Sequence, residues 1–133
     1  MKRIIGKKPE AQSKEALDQH WHRKFNITSF LFDQQLAFVE DPSPFKVAVC
    51  SRRAGKTIAC AAHLIHTAIN TPEIVCLYIT LSGANARKLV WKELKKINDT
   101  NNLLGSVSEA EGSITFQNKS VVYISGAKDK SEI

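Results

Sequence analysis

The stretch that decides the fold runs from residue 45 to residue 57 and reads Phe45-Lys46-Val47-Ala48-Val49-Cys50-Ser51-Arg52-Arg53-Ala54-Gly55-Lys56-Thr57. Its first six residues are mostly apolar and partly β-branched, which predicts a short buried strand. A turn containing Gly55 follows, and apolar residues then recur at helical spacing from Lys56 to about Asn70. The stretch therefore predicts a strand, a turn and a helix in direct succession.

This order of elements continues along the chain. Residues 74–80 are a second continuous apolar run, and residues 84–97 have a helical pattern. Alternating strands and helices are typical of a parallel α/β sheet, whose strands are apolar throughout because helices cover both faces. Residues 113–125 predict a β-hairpin with its turn near Asn118. A further helix is predicted at Lys14–Phe25 and a short one at Asp33–Glu40.

The turn contains most of the phosphate-binding motif G-x-x-x-x-G-K-[ST], with Cys50 in place of the first glycine. In such a loop, backbone N–H groups and the helix dipole bind phosphate, the lysine neutralises the β- and γ-phosphates, and the threonine hydroxyl ligates Mg²⁺. We therefore predict a site for ATP and Mg²⁺. Its residues are Cys50, Ser51, Arg52, Arg53, Ala54, Gly55, Lys56 and Thr57.

Two arginines lie inside this loop. Arg52 is predicted to reach the γ-phosphate and to stabilise negative charge in the transition state, as an arginine finger supplied by the same chain. Arg52 and Lys56 are then the catalytic residues of the loop. The alternative is that Arg52 and Arg53 only contact DNA or acidic neighbours.

The composition indicates a soluble globular chain of one domain. Of the 133 residues, 43% are hydrophobic and 24% are charged, and no apolar run approaches the ~20 residues that span a bilayer. The basic N-terminus lacks the apolar centre of a secretory signal, so the cytoplasm is the expected compartment. The three cysteines have no C-x-x-C spacing and are predicted to be buried free thiols. Two short histidine pairs are weak evidence for a metal site.

The net charge of +6 suggests a polyanionic partner, because basic residues cluster in two segments. Residues 1–24 carry seven Lys/Arg against three acids, and residues 87–96 carry five against one. On the predicted helix 84–97, four lysines lie on one side and apolar residues on another. The lysines are Lys88, Lys92, Lys95 and Lys96. They are predicted either to grip a DNA backbone or to form an ordinary solvated surface.

With residues 51–57 in view, the chain resembles the ATPase domain of the large terminase subunit of tailed phages, the motor that packages genomic DNA into proheads. That family tolerates a non-glycine residue at the first loop position and favours arginine within the loop. It also has an upstream glutamine that reads adenine. Gln35 fits that position best, and Gln34 remains open. Residues 77–91 are similar to the family's second strand, loop and helix, and residues 112–127 resemble the stretch before its Walker B strand.

The resemblance implies a fold, a domain division and partners. The fold is a P-loop NTPase-type parallel sheet flanked by helices, with a β-hairpin near the C-terminus. We expect a basic segment at 1–26 and a partial ATPase domain at 27–133, cut off before Walker B and the nuclease domain. The implied partners are double-stranded DNA, a portal protein, a small terminase subunit and other copies of the chain in a ring, in the host cytoplasm.

Two other functions remain open. A superfamily 2 helicase also has an upstream glutamine and a motif after its second strand, and a non-catalytic nucleotide-binding remnant needs only the loop. The double arginine and the hairpin favour the terminase interpretation. Because the catalytic glutamate of Walker B is not expected in this chain, we predict little or no ATP hydrolysis by it alone.

Overall fold

A computed structural model of the protein describes residues 25–128. Its helices are α1 (Ile27–Phe30), α2 (Asp33–Glu40), α3 (Lys56–Asn70), α4 (Gly83–Ala86) and α5 (Lys92–Thr100). Its strands are β1 (Val75–Thr80), β2 (Ser106–Ser108), β3 (Ser113–Thr115) and β4 (Val121–Gly126). The predicted helix Lys14–Phe25 and the basic segment 1–26 lie outside the described residues, apart from Phe25 and Asn26.

The four strands form one mixed sheet in the order β1-β4-β3-β2. β1 runs parallel to β4, whereas β4, β3 and β2 are antiparallel neighbours. The predicted hairpin is confirmed: β3 and β4 pair from Thr115↔Val121, and the connecting turn is closed by Phe116 N donating to Ser120 O at 2.9 Å. The chain is therefore a mixed α/β protein, in which the β1–β4 pair is parallel and the predicted hairpin supplies antiparallel neighbours.

Helix α3 begins and ends where its sequence pattern predicts. Its buried side chains are Ala59, Ala61, Ala62, Ile65, Ala68 and Ile69. The helix ends at Asn70, before Thr71 and Pro72. The Asn118 amide from the hairpin turn then donates to the carbonyls of Ala68 and Ile69 at 2.8 and 3.1 Å, which satisfies two acceptors of the last turn. The hairpin turn thus holds the C-terminal end of α3 in place.

The chain is helical from Gly83 to Thr100, because a π-helical turn at Arg87–Trp91 joins α4 to α5. Val90, Leu94 and Ile97 are buried, as their spacing predicts. The helix continues three residues beyond its predicted end at Ile97, and the Asn101 amide donates to Ile97 O at 2.9 Å at this end. The polar residues Asn98 to Thr100 therefore also belong to the helix.

Residues 45–50, predicted as a buried strand, are irregular in the structure. Phe45, Val47 and Val49 are 91%, 89% and 97% exposed, so this prediction is wrong. A strand is held by hydrogen bonds to a neighbouring strand, and none of the four strands in residues 25–128 pairs with this segment. The apolar, β-branched composition was therefore insufficient to make a strand without a pairing partner.

Among the described residues 25–128, only one side of the sheet is covered along β1. Cys76 of β1 and its partner Val122 of β4 are buried in the core that α3 helps to form. On the opposite side of β1, Val75, Leu77 and Ile79 are 65%, 48% and 52% exposed. The prediction that helices cover both faces of this strand is therefore wrong.

Candidate functional site

The loop at residues 50–57 leads directly into α3, as the phosphate-binding motif predicts. Gly55 is the N-cap of α3 and has a positive φ of 74°. A Cβ atom at this position would lie 2.3 Å from Gln35 Nε2, which is the movable end of a side chain, so it is mainly the left-handed backbone conformation that favours glycine here. Within residues 25–128, no side-chain hydrogen bond caps the N-terminus of α3. Its first backbone N–H groups therefore remain available to an anion.

Lys56 folds back over the loop that precedes it. Its Nζ donates to Ser51 O at 2.7 Å and lies 3.4 Å from Cys50 O, while the residue as a whole stays exposed. Arg52 and Arg53 are also exposed, and Arg53 has a positive φ of 63°. Three cationic side chains and a helix N-terminus thus converge on one loop, an arrangement suited to a polyphosphate.

The other residues predicted for the phosphate loop differ in their exposure to solvent. Ala54 and Thr57 are half-buried, whereas Cys50 and Ser51 are exposed. Thr57 is the second residue of α3, so its hydroxyl is next to the helix N-terminus. The structure therefore brings together every residue predicted for the phosphate loop.

Both ends of the Gln35 amide are hydrogen-bonded, one to the loop and the other to the start of α2. Its Nε2 donates to Gly55 O at 3.0 Å, and its Oε1 accepts from Phe32 N at 3.2 Å. The side chain is buried, with 8% exposure, while the neighbouring Gln34 is exposed. Of the two candidates, Gln35 is the one that connects the start of α2 to the loop. Both glutamines line the cleft described next.

A cleft of about 820 Å³ lies between α2, residues 47–50 and the start of α3. This volume is within the range of small-molecule sites. Phe32 and Phe38 supply aromatic surface on one wall, and Ala54 and Lys56 supply the loop side. Lys46 connects the start of residues 46–50 to α2, because its Nζ donates to Phe38 O and Val39 O at 3.0 and 2.9 Å. Phe32 and Lys46 were not identified from the sequence, because neither belongs to a motif.

The three cysteines are free, but their positions differ from the prediction. Cys76 is buried, whereas Cys50 and Cys60 are exposed and line the cleft. Partial burial raises the pKa of the Cys60 thiol, and the neighbouring Cys50 thiol adds to this. The prediction of three buried thiols is therefore wrong for the two that border the loop.

No three His, Cys, Asp or Glu side chains within residues 25–128 are placed to hold a metal ion. His63, one turn after Cys60 on α3, has a buried Nδ1 with no hydrogen-bond partner in the same range. Burial lowers the pKa of His63, and the charges of Lys46 and His66 lower it further. The neutral imidazole is therefore favoured at neutral pH.

The four lysines of the second helical segment do not share one environment. Lys88, Lys92 and Lys96 are exposed. Lys95 Nζ lies 2.6 Å from Glu109 Oε1 and 5.7 Å from the ring centroid of Trp91. Glu109 was not identified from the sequence, because it lies in the connection between β2 and β3. The structure thus separates Lys95, which has an acidic partner, from the other three.

The strands and helices together define a mixed α/β protein with a four-stranded sheet flanked by helices. No protein-family model matches the chain, and no curated protein does. Among solved structures, the chain is similar to the large terminase from a thermophilic bacteriophage, with 24% sequence identity and a TM-score of 0.57. The match covers 74% of this chain and 27% of that one. The chain therefore has a terminase-like fold and corresponds to about a quarter of that neighbour's length.

No helix within residues 25–128 combines the length and the apolar character that a membrane span requires.

Proposed function

We propose that this chain is the ATP-binding part of a viral DNA-packaging motor of the large terminase type. In the intact motor, ATP hydrolysis would be coupled to translocation of double-stranded DNA. The observation that carries the proposal is the loop at 50–57, where Gly55 in a left-handed conformation places Lys56 and an uncapped helix N-terminus side by side. The similarity in fold to a phage large terminase supports the choice of motor.

The loop residues have distinct roles in this proposal. Backbone N–H groups at the start of α3 bind the β- and γ-phosphates, and Lys56 Nζ leaves Ser51 O to neutralise their charge. Thr57 would hold Mg²⁺ through its hydroxyl, and the ion would supply positive charge against the phosphates. Arg52 stabilises the charge that develops on the γ-phosphate during transfer. All of these groups lie within eight consecutive residues.

The adenine base would occupy the cleft beside the loop. Phe32, which is 53% exposed, offers a ring for stacking. Gln35 is proposed to contact the base and, through Gly55 O, to couple base binding to the loop. If adenine forms hydrogen bonds with the Gln35 amide, the existing bonds of that amide to Phe32 N and Gly55 O must break. The exposed Gln34 of α2 is the alternative contact for the base.

The DNA would lie along the exposed lysines of the second helical segment. Lys88, Lys92 and Lys96 follow one another at intervals of four residues, which places them along one side of the helix. Lys95 contributes less in this proposal because Glu109 neutralises it. A portal protein, a small terminase subunit and a homo-oligomeric ring are the further partners that a packaging motor in the host cytoplasm would need.

Titration of the full chain with Mg²⁺ and ATP in a calorimeter tests nucleotide binding. We expect binding by the wild type and a loss of about tenfold or more in affinity for Lys56→Ala, because the main phosphate cation is gone. Lys128→Ala is the matched control, since Lys128 is an exposed lysine outside the loop and should leave the affinity unchanged. Absence of binding by the folded wild type would refute the proposal.

The salt dependence of DNA binding tests the lysine surface. Removal of one phosphate-binding lysine should reduce the slope of log K against log salt by about 1, so Lys92→Ala and Lys96→Ala should each do so. Lys95→Ala should change the slope less than either, because Lys95 is already paired with Glu109. Equal slopes in all variants and the wild type would show that this surface is only solvated.

Measurement of ATP hydrolysis separates the alternatives. The chain alone is expected to bind ATP and hydrolyse little of it, because the predicted loop residues include no general base for water. Rapid hydrolysis by the purified chain would contradict this limit. Unwinding of a duplex in an ATP-dependent assay would favour the helicase alternative, and binding without any effect of DNA would favour a nucleotide-binding remnant.

A further inference from the structure

One wall of the cleft, residues 47–50, is held in a different way from the rest of the structure. This wall belongs to no helix or strand, and none of the four strands in residues 25–128 pairs with it. Lysine side chains hold its two ends instead. Lys46, just before the wall, binds α2, and beyond the other end Lys56 Nζ donates to Ser51 O at 2.7 Å. The position of the wall therefore depends on side-chain bonds rather than on a strand ladder.

Lys46 binds the C-terminal end of α2. Its Nζ donates to Phe38 O and Val39 O at 3.0 and 2.9 Å and lies 5.7 Å from the centroid of the Phe38 ring. Both carbonyls belong to the last turn of α2, which ends at Glu40. Carbonyls in a last helical turn have no acceptor role within the helix, and they attract positive charge. The half-buried Lys46 ammonium thus makes two charge-assisted bonds to groups that need a donor.

These bonds join the two walls that face each other across the cleft. Phe38 of α2 lines the cleft and supplies one of the two acceptors, and Val47, which follows Lys46 directly, lines it too. Nearer its start, α2 is bonded to the phosphate loop by Gln35 Nε2, which donates to Gly55 O at 3.0 Å. With α2 connected to the loop in this way, the distance between α2 and residues 47–50 depends on Lys46.

We propose that Lys46 is a positioning residue that holds residues 47–50 against α2 and thereby shapes the part of the cleft that receives the nucleotide base. The inference rests on the function proposed above, in which Lys56 Nζ leaves Ser51 O for the phosphates. The wall then loses the bond beyond its far end, and the bonds of Lys46 remain. Lys46 should therefore affect binding of the base strongly and binding of the phosphates weakly, because the loop and the start of α3 bind the phosphates.

Calorimetric titration of the full chain with ATP and with inorganic tripolyphosphate, both in Mg²⁺, tests this difference. Lys46→Met removes the charge and the donors but keeps an unbranched side chain of similar length. If the wall is in place in about a tenth of the variant molecules, the affinity for ATP falls about tenfold. Tripolyphosphate has no base, so its affinity should stay within about twofold of the wild-type value.

Two further variants complete the experiment. Lys46→Arg keeps a charged donor for the two carbonyls of α2 and should bind ATP more tightly than Lys46→Met. Lys128→Met is the matched control, because Lys128 is an exposed lysine beyond the end of β4, and it should leave both affinities unchanged. If Lys46→Met does not fold, Lys46→Gln, which lacks the charge but keeps a donor, takes its place with the same expected difference between the two ligands.

The pair of ligands separates failure of this inference from failure of the proposed function. Equal losses for ATP and tripolyphosphate would show that Lys46 supports the loop as a whole, and would overturn the inference. Unchanged ATP affinity would overturn it as well, and the proposed function would stand in both cases because the wild type binds ATP. A folded wild type that binds neither ligand would refute the proposed function itself.

Discussion

The two sides of the sheet hold similar residues in opposite environments. On the side that faces α3, Val122 is fully buried and Ile124 is 6% exposed. On the other side of the neighbouring strand, Val75 is 65% exposed and Ile79 is 52% exposed. The irregular segment before the loop is more open still, with Val49 97% exposed. The difference does not come from the residue types, since all of these side chains are β-branched and apolar.

This contrast shows that burial depends on the element that packs against a strand. The helices α3 and α5 supply Ile65 and Leu94 to one side, and both are fully buried. Burial of a side chain of this size stabilises the fold by about 1.5–3 kcal/mol relative to exposure. Among residues 25–128, the open side of β1 has no such cover. The stability of this chain should therefore come mainly from the side of the sheet that α3 and α5 cover.

Matched substitutions in the two environments should produce the largest effect. Ile65→Ala removes a fully buried side chain of α3 and should lower the free energy of unfolding by ~2–5 kcal/mol. Ile79→Ala makes the same chemical change on the open side of β1 and should cost less than about 1 kcal/mol. Urea denaturation of both variants measures the two changes. Equal changes would show that the open side is covered in solution.

A substitution at Gly55 tests the phosphate loop, which lies between the exposed residues 45–49 and the packed helix α3. Alanine there must adopt a φ of 74° and place its Cβ 2.3 Å from Gln35 Nε2. We expect Gly55→Ala to lower the free energy of unfolding by about 1–3 kcal/mol and to weaken ATP binding. Thermal or urea unfolding gives the first quantity, and calorimetric titration gives the second.

The double variant Gly55→Ala with Gln35→Ala separates the two causes. It removes the clash but keeps the unfavourable φ, so it should recover only part of the stability that Gly55→Ala removes. Full recovery would show that the contact with Gln35 alone requires glycine. No recovery would assign the whole cost to the backbone conformation.

The sequence predicted the elements that depend on residues close together in the chain, and it failed where an element depends on a distant partner. Helix α3 was predicted at both ends, because its apolar spacing and the Thr71-Pro72 stop are local signals. The hairpin was likewise predicted from its turn. The failure at residues 45–50 has a different cause, since strand formation there depends on a partner that the segment's own residues do not specify. The short strand β2 was missed because its three residues carry no such pattern.

The candidate site shows the same difference between short-range and long-range contacts. Lys56 and its acceptor Ser51 are five residues apart, and a motif of fixed spacing describes that geometry. The contact between Gln35 and Gly55 spans 20 residues, and its geometry appeared only in the structure. The pairing of Lys95 with Glu109 was not predicted either, because the helical pattern says nothing about the β2–β3 connection.

The smallest expected effect concerns Glu109, which lies in the β2–β3 connection and contacts Lys95 of the packed helix α5. Its carboxylate accepts from Lys95 Nζ at 2.6 Å and from Trp91 Nε1 at 2.8 Å, and these two bonds hold the pKa of Glu109 below its ordinary value of 4.5. A carboxyl whose pKa is lower in the folded state stabilises the fold above the unfolded pKa. That contribution should disappear as the pH falls through the folded pKa.

Stability curves of the wild type and Glu109→Gln between pH 7 and pH 2 measure this contribution as a difference. The variant should be slightly less stable at pH 7, and the two curves should converge in acid, where the wild-type carboxyl is protonated. The effect should be small and weakened by salt, because Glu109 and Lys95 side chains are 61% and 36% exposed. A constant difference at every pH would assign the role of Glu109 to its hydrogen bonds rather than to its charge.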